Sequence, residues 1–346
     1  MARLSLLVLA VVVCVAQLGS AAMVTKVLPR AVAHRGYSSA APENTLAALK
    51  MSIEAGVDGV EIDLQVTKDG VIVLLHDEDL DRTTNCTGSI STYNFLPASG
   101  PPQLSECDAG SWFGPQFAGA KIPSLAEGLA VTVPAGVFMV LDMKQTGPGI
   151  GALLADVIPD PEVQGLTVAS CWTFDQMAEV RNALNATRIQ YLTGSLEAFE
   201  ADPDAFFADM ALRGVDGFSV SRKVITPEFV AAAKSHFMAV AVWTVNAAAD
   251  MRIMFSYSVD AILTDYVTRL TTTLAEANAA EERASRSGYT KNSTVALASI
   301  FSFAAGALVC ILVFIAIRLM RRRQRRAARS PRGVTSPTGG SYGMIP

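Results

Sequence analysis

The stretch that decides the fold is residues 33–84, which read AHRGYSSAAPENTLAALKMSIEAGVDGVEIDLQVTKDGVIVLLHDEDLDRTT. Two of the three histidines in the chain, His34 and His76, lie in it, together with several carboxylates and an arginine. Glu61 and Asp63 stand between the histidines, two residues apart. This concentration of titratable side chains indicates that a functional site is built from this part of the chain.

Residues 57–64 are typical of a short strand, in which side chains two positions apart point to the same face. Glu61 and Asp63 are therefore expected on one face, and the apolar residues between them on the other. Adjacent carboxylates repel each other unless a cation lies between them or one is protonated. A hard divalent metal with oxygen ligands relieves this repulsion. A solvated strand edge is the alternative for an isolated pair, but the flanking histidines favour a metal site.

The body of the chain alternates predicted strands and helices. Eight strands are predicted, at 30–33, 59–64, 137–142, 166–170, 188–192, 217–220, 238–244 and 261–264. Helical patterns fall between most of them, as at 45–55, which ends before Gly56. Eight strands alternating with helices over about 240 residues predict an α/β fold, the (β/α)8 or TIM barrel. A doubly wound open sheet is the alternative, although no glycine-rich phosphate loop follows the first strand.

Two features interrupt the alternation after the second strand. An extra hairpin-like strand is predicted at 71–75, and residues 80–123 are long and rich in Gly, Ser and Pro. This second segment is predicted to form a small subdomain inserted over the barrel mouth. Cys86 and Cys107 flank one loop region of it and are the candidate disulfide, which leaves Cys171 as a buried free thiol.

The two ends of the chain have the composition of export and anchoring segments. Residues 1–22 resemble a secretory signal peptide, with an apolar core before a small-residue cleavage site. Residues 295–317 carry no charge and span about 35 Å as a helix, enough to cross a bilayer. A polar linker at 271–294 precedes this predicted transmembrane helix, and a basic tail at 318–346 follows it.

Charge predicts how the chain is oriented. The tail contributes +8 to a net charge of −4, which leaves −12 on residues 1–317. Positive residues stay on the cytoplasmic side, so we expect a single-pass type I membrane protein with an extracellular or luminal domain. The acidic outer part gives no support for nucleic-acid binding.

Sequons at Asn85, Asn185 and Asn292 are the candidate glycosylation sites.

Three further motifs accompany the opening stretch. They are DAGSWFG at 108–114, IPSLAE at 122–127 and WTVN at 243–246. With these motifs, the chain resembles the glycerophosphodiester phosphodiesterase family from about Ala31 to Leu270. The resemblance implies a barrel, here placed at 28–270, and the metal-dependent hydrolysis of glycerophosphodiesters to an alcohol and glycerol 3-phosphate. It also implies that a neighbouring hydroxyl of the substrate attacks first and gives a cyclic phosphate.

In such barrels the working residues lie at the carboxyl ends of the strands. Several polar side chains of this chain follow that rule. They are His34 and Arg35 after the first strand, Glu61 and Asp63 on the second, Asp142 and Lys144 on the third, Trp243 on the seventh, and His76 after the extra strand. We expect these places to converge on one rim.

The roles of these residues follow from what the hydrolysis of a phosphodiester requires. Glu61, Asp63 and Asp142 would hold Ca²⁺ or Mg²⁺, which would polarise a phosphoryl oxygen. Arg35 and Lys144 would bind the phosphate. The two histidines, His34 and His76, would serve as general base and acid, because imidazole titrates near neutrality.

For each of two residues, Glu43 and Trp243, the sequence allows two interpretations. Glu43 resembles a motif glutamate that helps to bind metal or to orient a histidine, but an acid at a helix start is also favoured by the helix dipole. Trp243 would line the pocket and contact the glycerol, or would be buried in the barrel core.

Two departures from the family pattern occur. The third strand has Asp142-Met143-Lys144 where the family usually has Glu-x-Lys, so the carboxylate is one methylene shorter. Near the end, Thr264-Asp265-Tyr266-Val267 lacks the proline that the family often has. The alternatives to a glycerophosphodiesterase are a lysophospholipase D that acts on membrane lysophospholipids, and an inactive member that serves as a receptor or adhesion module.

Overall fold

The computed structural model describes residues 28–144 and 149–283. In this part of the chain nine strands form one sheet. They are β1 (Arg30–His34), β2 (Gly59–Val66), β3 (Ile72–Leu74), β4 (Phe138–Met143), β5 (Thr167–Cys171), β6 (Arg188–Thr193), β7 (Gly217–Ser221), β8 (Ala239–Trp243) and β9 (Ala261–Thr264). The order β1-β9-β8-β7-β6-β5-β4-β2-β3 closes on itself because β1 also pairs with β2. The ring contains eight parallel strands, which confirms the predicted barrel and excludes the open sheet.

Helices connect the strands on the outside of the barrel. In the described residues they are Leu46–Glu54, Leu125–Thr132, Ile150–Val157, Pro161–Gly165, Phe174–Ala183, Glu197–Ala201, Pro203–Leu212, Pro227–Ser235 and Ala248–Tyr257. Several begin at a side-chain cap. Ser124 and Glu127 form a capping box at one of them, in which each side chain accepts a hydrogen bond from the other residue's backbone.

Strand alternation separates two apolar layers. Val60, Ile62 and Leu64 of β2 face outward and belong to the large core between the strands and the helices. A small second cluster lies inside the barrel, and we call it the floor cluster. It consists of Val32, Val140, Ala241 and Leu263.

The chain continues as a helix after the last strand. Residues 267–283 are helical, and this range includes the first half of the predicted linker at 271–294. Leu270 and Thr273 are buried, and Leu274 packs against the barrel core. The chain divides into two compact units between Asn278 and Ala279, and only 279–283 of the second unit are described.

The segment predicted as an insertion forms short 3₁₀ turns. They are Ile90–Thr92, Pro97–Ser99, Leu104–Glu106 and Pro115–Phe117. A core of its own holds them together, with Val73, Leu80, Ile90 and Leu104 among its buried members. Cys86 and Cys107 are joined in a disulfide within this segment.

Several predicted features lie outside the described residues. They are the signal peptide at 1–22, the transmembrane helix at 295–317, the tail at 318–346 and the sequon at Asn292. Among the helices of residues 28–144 and 149–283, none has the length and apolarity required to span a membrane.

Candidate active site

The site lies one layer above the floor cluster, at the carboxyl ends of the strands. Strands β1, β4 and β8 each carry a site residue two positions after a floor residue: His34, Asp142 and Trp243. Strand register brings the second-strand acids beside them, since Glu61 pairs with His34 and Asp63 pairs with Asp142. The alternation of each strand therefore carries these side chains to one rim.

A tight turn after β1 aims the next residue at the acids. Arg35 and Gly36 both have positive φ, at 58° and 74°. A Cβ on Gly36 would lie 2.7 Å from the Cβ of Ala48, so this position requires glycine. The turn directs the backbone N–H of Arg35 to Glu61 Oε2 at 2.8 Å and places Arg35 Nε 3.3 Å from Asp63 Oδ2.

Three buried carboxylates form a compact cluster. One oxygen atom each of Glu61, Asp63 and Asp142 lies within 4.8 Å of the other two. Asn44 orients Asp63, because its amide donates to Asp63 Oδ2 at 2.7 Å and its carbonyl accepts from the Asp63 backbone at 3.2 Å. Burial and the adjacent Asp63 raise the pKa of Glu61 to about 8. A divalent ion with oxygen ligands suits this donor set, and the shorter Asp142 belongs to it.

Two cations balance part of this negative charge. Lys144 Nζ lies 2.5 Å from Asp142 Oδ2 and 3.1 Å from Asp63 Oδ1. Burial lowers the pKa of Lys144, but the two aspartates outweigh that effect and raise it. Burial raises the pKa of Asp63, but Arg35 and Lys144 outweigh that effect and lower it. Three carboxylates face only two fixed cations, so the third negative charge is compensated either by a proton on Glu61 or by a metal ion.

The first histidine is held by a carboxylate from the end of the barrel sequence. His34 Nδ1 lies 2.6 Å from Asp265 Oδ1, a residue 231 positions away. Asn246 donates to Asp265 Oδ2 at 2.7 Å, and Ser38 donates to Oδ1 at 3.1 Å. Burial lowers the pKa of His34, but Glu61 and Asp265 outweigh it and the pKa is raised. The other ring nitrogen, Nε2, lies 3.9 Å from Glu61 Oε2.

The second histidine belongs to a chain of charged contacts. His76 Nδ1 lies 2.7 Å from Asp77 Oδ1, and Arg82 Nε donates to Asp77 Oδ2 at 2.6 Å. Arg82 also donates two hydrogen bonds to Glu43, which in turn accepts one from Arg35. Glu43 thus links the turn after β1 to the beginning of the inserted segment. It lies outside the three-carboxylate cluster.

Trp172, directly after β5, completes the contacts of the third acid. Its indole N–H donates to Asp142 Oδ1 at 2.9 Å, and its ring lies 5.6 Å from Lys144 Nζ. It also meets Trp243 edge-on, with ring centroids 6.1 Å apart. Trp172 therefore orients Asp142, and the residue as a whole is 39% exposed while it also lines the cavity.

A cavity of about 210 Å³ opens between these groups. It is lined by His34, Arg35, Glu61, His76, Asp142, Lys144, Ser170, Trp172, Leu192, Ser219, Trp243, Thr244 and Leu263. Trp243 lines this cavity, whereas Asp63 is completely buried and is not among its lining residues.

Sequence reasoning missed three residues that orient the site. Asp265 and Arg82 stand in motifs that were recognised, but their partners are 231 and 39 positions away. Trp172 lies two residues after the predicted strand at 166–170 and directly after β5, and this strand-end position was the available signal.

The remaining predicted residues are at the surface or in the core. Asn85 is exposed, and its carbonyl accepts a hydrogen bond from the backbone of Asp108. Asn185 is also exposed, although Thr187 of its sequon is buried. Cys171 is a buried free thiol whose pKa is raised by burial.

A parallel barrel whose acids, cations and imidazoles converge on the carboxyl rim has the architecture of a barrel enzyme. Comparison with known proteins identifies which kind. The model of the glycerophosphoryl diester phosphodiesterase family matches residues 34–269. A glycerophosphodiester phosphodiesterase of Caldanaerobacter subterraneus is 32% identical over 68% of this chain and 93% of its own length. A counterpart in Bacillus subtilis is 29% identical over 68% and 83%.

A solved structure agrees with these sequence matches. A phosphodiesterase from Oleispira antarctica, in complex with the product sn-glycerol-3-phosphate, superimposes with a TM-score of 0.63 at 25% identity. The match covers 72% of this chain and 97% of that one. The chain belongs to the glycerophosphoryl diester phosphodiesterase family, and it is a phosphoric diester hydrolase.

Proposed function

We propose that the protein hydrolyses glycerophosphodiesters to an alcohol and glycerol 3-phosphate, with a divalent cation and two histidines. The observation that carries the proposal is the convergence of the three-carboxylate cluster, two cations and two imidazoles on one cavity. The family match and the product named for the Oleispira antarctica relative support it.

Glu61, Asp63 and Asp142 are the residues that would hold the cation. A bound Ca²⁺ or Mg²⁺ supplies Lewis-acid polarisation of a phosphoryl oxygen. Arg35 and Lys144 place positive charge along the same side of the cavity, where they stabilise the negative charge that develops on the phosphate.

The two histidines move protons between the substrate oxygens. His34 takes the proton of the neighbouring hydroxyl as its oxygen attacks phosphorus, and His76 gives a proton to the alcohol oxygen as its bond to phosphorus breaks. The products of this step are the free alcohol and a cyclic phosphate. Water then opens the ring, with the proton transfers reversed. In both residues Nδ1 is bound to an aspartate, which leaves Nε2 for the reaction.

A substrate panel tests this proposal against its alternatives. The full chain, purified in membranes or detergent, is expected to release glycerol 3-phosphate from several glycerophosphodiesters faster than it cleaves lysophosphatidylcholine. The reason is that the cavity is small and is lined by charged and polar groups at its phosphate side. An Asp63→Asn preparation serves as the control for contaminating activity.

Two results would contradict it. Faster cleavage of lysophospholipids would favour the lysophospholipase D alternative. Equal traces of activity in the wild-type and control preparations would favour the inactive receptor or adhesion module.

We further propose that the protein is a single-pass type I membrane protein whose barrel is extracellular or luminal. The apolar run at 295–317, the basic tail after it and the disulfide of the inserted segment support this orientation. In intact vesicles, added protease is expected to leave the barrel intact and remove only the tail when the cytoplasmic side faces outward. Digestion of the barrel in such vesicles would reverse the assigned orientation.

A further inference from the structure

Two buried polar atoms on the cavity wall have no role in the metal binding, phosphate binding or proton transfers proposed above. Ser219 of β7 is completely buried, and the indole Nε1 of Trp243 on β8 is buried as well. Among the residues that the structure describes, neither atom has a hydrogen-bond partner. Both residues line the cavity. Unpaired buried polar atoms are rare in folded proteins, and those that line a binding cavity are available to an ordered water or to a ligand.

A second serine hydroxyl on the cavity wall does have a hydrogen-bond partner. Ser170 on β5 also lines the cavity, but its Oγ accepts a hydrogen bond from Gln190 Nε2 at 2.5 Å. Ser219 has an equivalent inward position and no such partner in the described chain. The difference sets Ser219 apart as a group that is open to a ligand.

The position of β7 in the barrel indicates which part of a ligand Ser219 would contact. Three strands separate β7 from β2 in either direction around the ring, so Ser219 lies across the barrel from Glu61 and Asp63. Arg35 and Lys144, which would bind the phosphate, are on the acidic side. The wall formed by β7 and β8 has a hydroxyl and an indole N–H and therefore suits a neutral hydroxyl group.

We infer that Ser219, together with Trp243 Nε1, binds the terminal hydroxyl of the substrate's glycerol and makes the enzyme specific for glycerol; the inference rests on the proposed function. The indole donates to the hydroxyl oxygen, and Ser219 either donates to it or accepts its proton. The neighbouring hydroxyl of the same glycerol remains free to attack phosphorus.

Two substrates and one substitution test the inference. The substrates share one alcohol headgroup and differ in a single atom group: the first has glycerol, and the second has propane-1,2-diol, which keeps the neighbouring hydroxyl and lacks the terminal one. Wild-type protein is expected to prefer the glycerol substrate by about 10- to 100-fold in kcat/KM. In Ser219→Ala, kcat/KM for the glycerol substrate is expected to fall, so that most of the preference is lost. The kcat/KM for the propanediol substrate is expected to change less than about threefold.

Ser221→Ala is the matched control. Ser221 stands on the same strand, its Oγ already accepts from the backbone of Lys223 at 3.4 Å, and it is not among the cavity-lining residues, so the preference is expected to persist. If Ser219→Ala folds poorly, Ser219→Cys takes its place. The cysteine is similar in size to serine but is a weaker hydrogen-bond donor, so an intermediate preference is expected.

The outcomes separate this inference from the proposed function. Equal losses on both substrates, or an unchanged preference in both Ser219 variants, would overturn it. Wild-type activity on both substrates without preference would overturn the inference alone. Wild-type inactivity on both would overturn the proposed function and the inference with it.

Discussion

Removal of divalent cations is expected to abolish phosphodiester hydrolysis, and added Ca²⁺ or Mg²⁺ is expected to restore it. Glu61, Asp63 and Asp142 bring three carboxylates together in a buried site, and a cation is the group that compensates their charge. The measurement is turnover before and after dialysis against chelator, with residual metal determined by elemental analysis. Full turnover in verified metal-free protein would contradict the prediction.

Metal binding has a second readout that is independent of turnover. Because burial and Asp63 raise the pKa of Glu61 to about 8, this carboxyl holds a proton at neutral pH in the metal-free protein. A bound cation displaces that proton, so affinity is expected to fall as the pH falls below 8. Titration calorimetry in two buffers of different ionisation enthalpy measures the released proton. Asp63→Asn is the control and should lose the metal signal.

Substitution of either histidine is expected to have the second large effect. His34→Ala and His76→Ala should each lower kcat by at least about 100-fold, the low end for a general acid or base. His236→Ala is the matched control. His236 is exposed and has no role in the proposed reaction, so this variant should keep wild-type turnover. Circular dichroism shows whether each variant is folded. Near-normal turnover in either site variant would remove its assigned role.

A change of leaving group separates the two histidines. An alcohol with a low pKa, such as p-nitrophenol, leaves without a proton, so it should restore much of the cyclisation rate of His76→Ala and little of that of His34→Ala. The opposite pattern would exchange the acid and the base. This comparison uses rates of alcohol release, which report the first step only.

Strand ends could be predicted from sequence because they depend on local patterns. The alternation in β2 predicted that Glu61 and Asp63 share a face, and the third-strand motif predicted Asp142 and Lys144 at the same rim. The contacts that orient these groups could not be predicted, because they depend on closure of the barrel. The pair of His34 with Asp265 spans 231 positions and forms only when β1 and β9 are adjacent.

The unpaired hydroxyl of Ser219 shows the same limit. Its strand was predicted, but whether a buried serine has a partner depends on the side chains of strands that are distant in sequence. The linker shows a different limit. The polar, alanine-rich composition of residues 271–283 allows a helix, but it does not show that the helix packs on the barrel through Leu274.

That helix determines where the barrel can be tethered. It begins at residue 267, beside Asp265 at the cavity rim, and the helix after a barrel strand runs back toward the opposite end. Over the twelve residues to Asn278 it travels about 18 Å away from the rim. Asn278, the last residue of the barrel unit, therefore lies toward the end of the barrel opposite the cavity, and a label attached there leaves the cavity entrance uncovered.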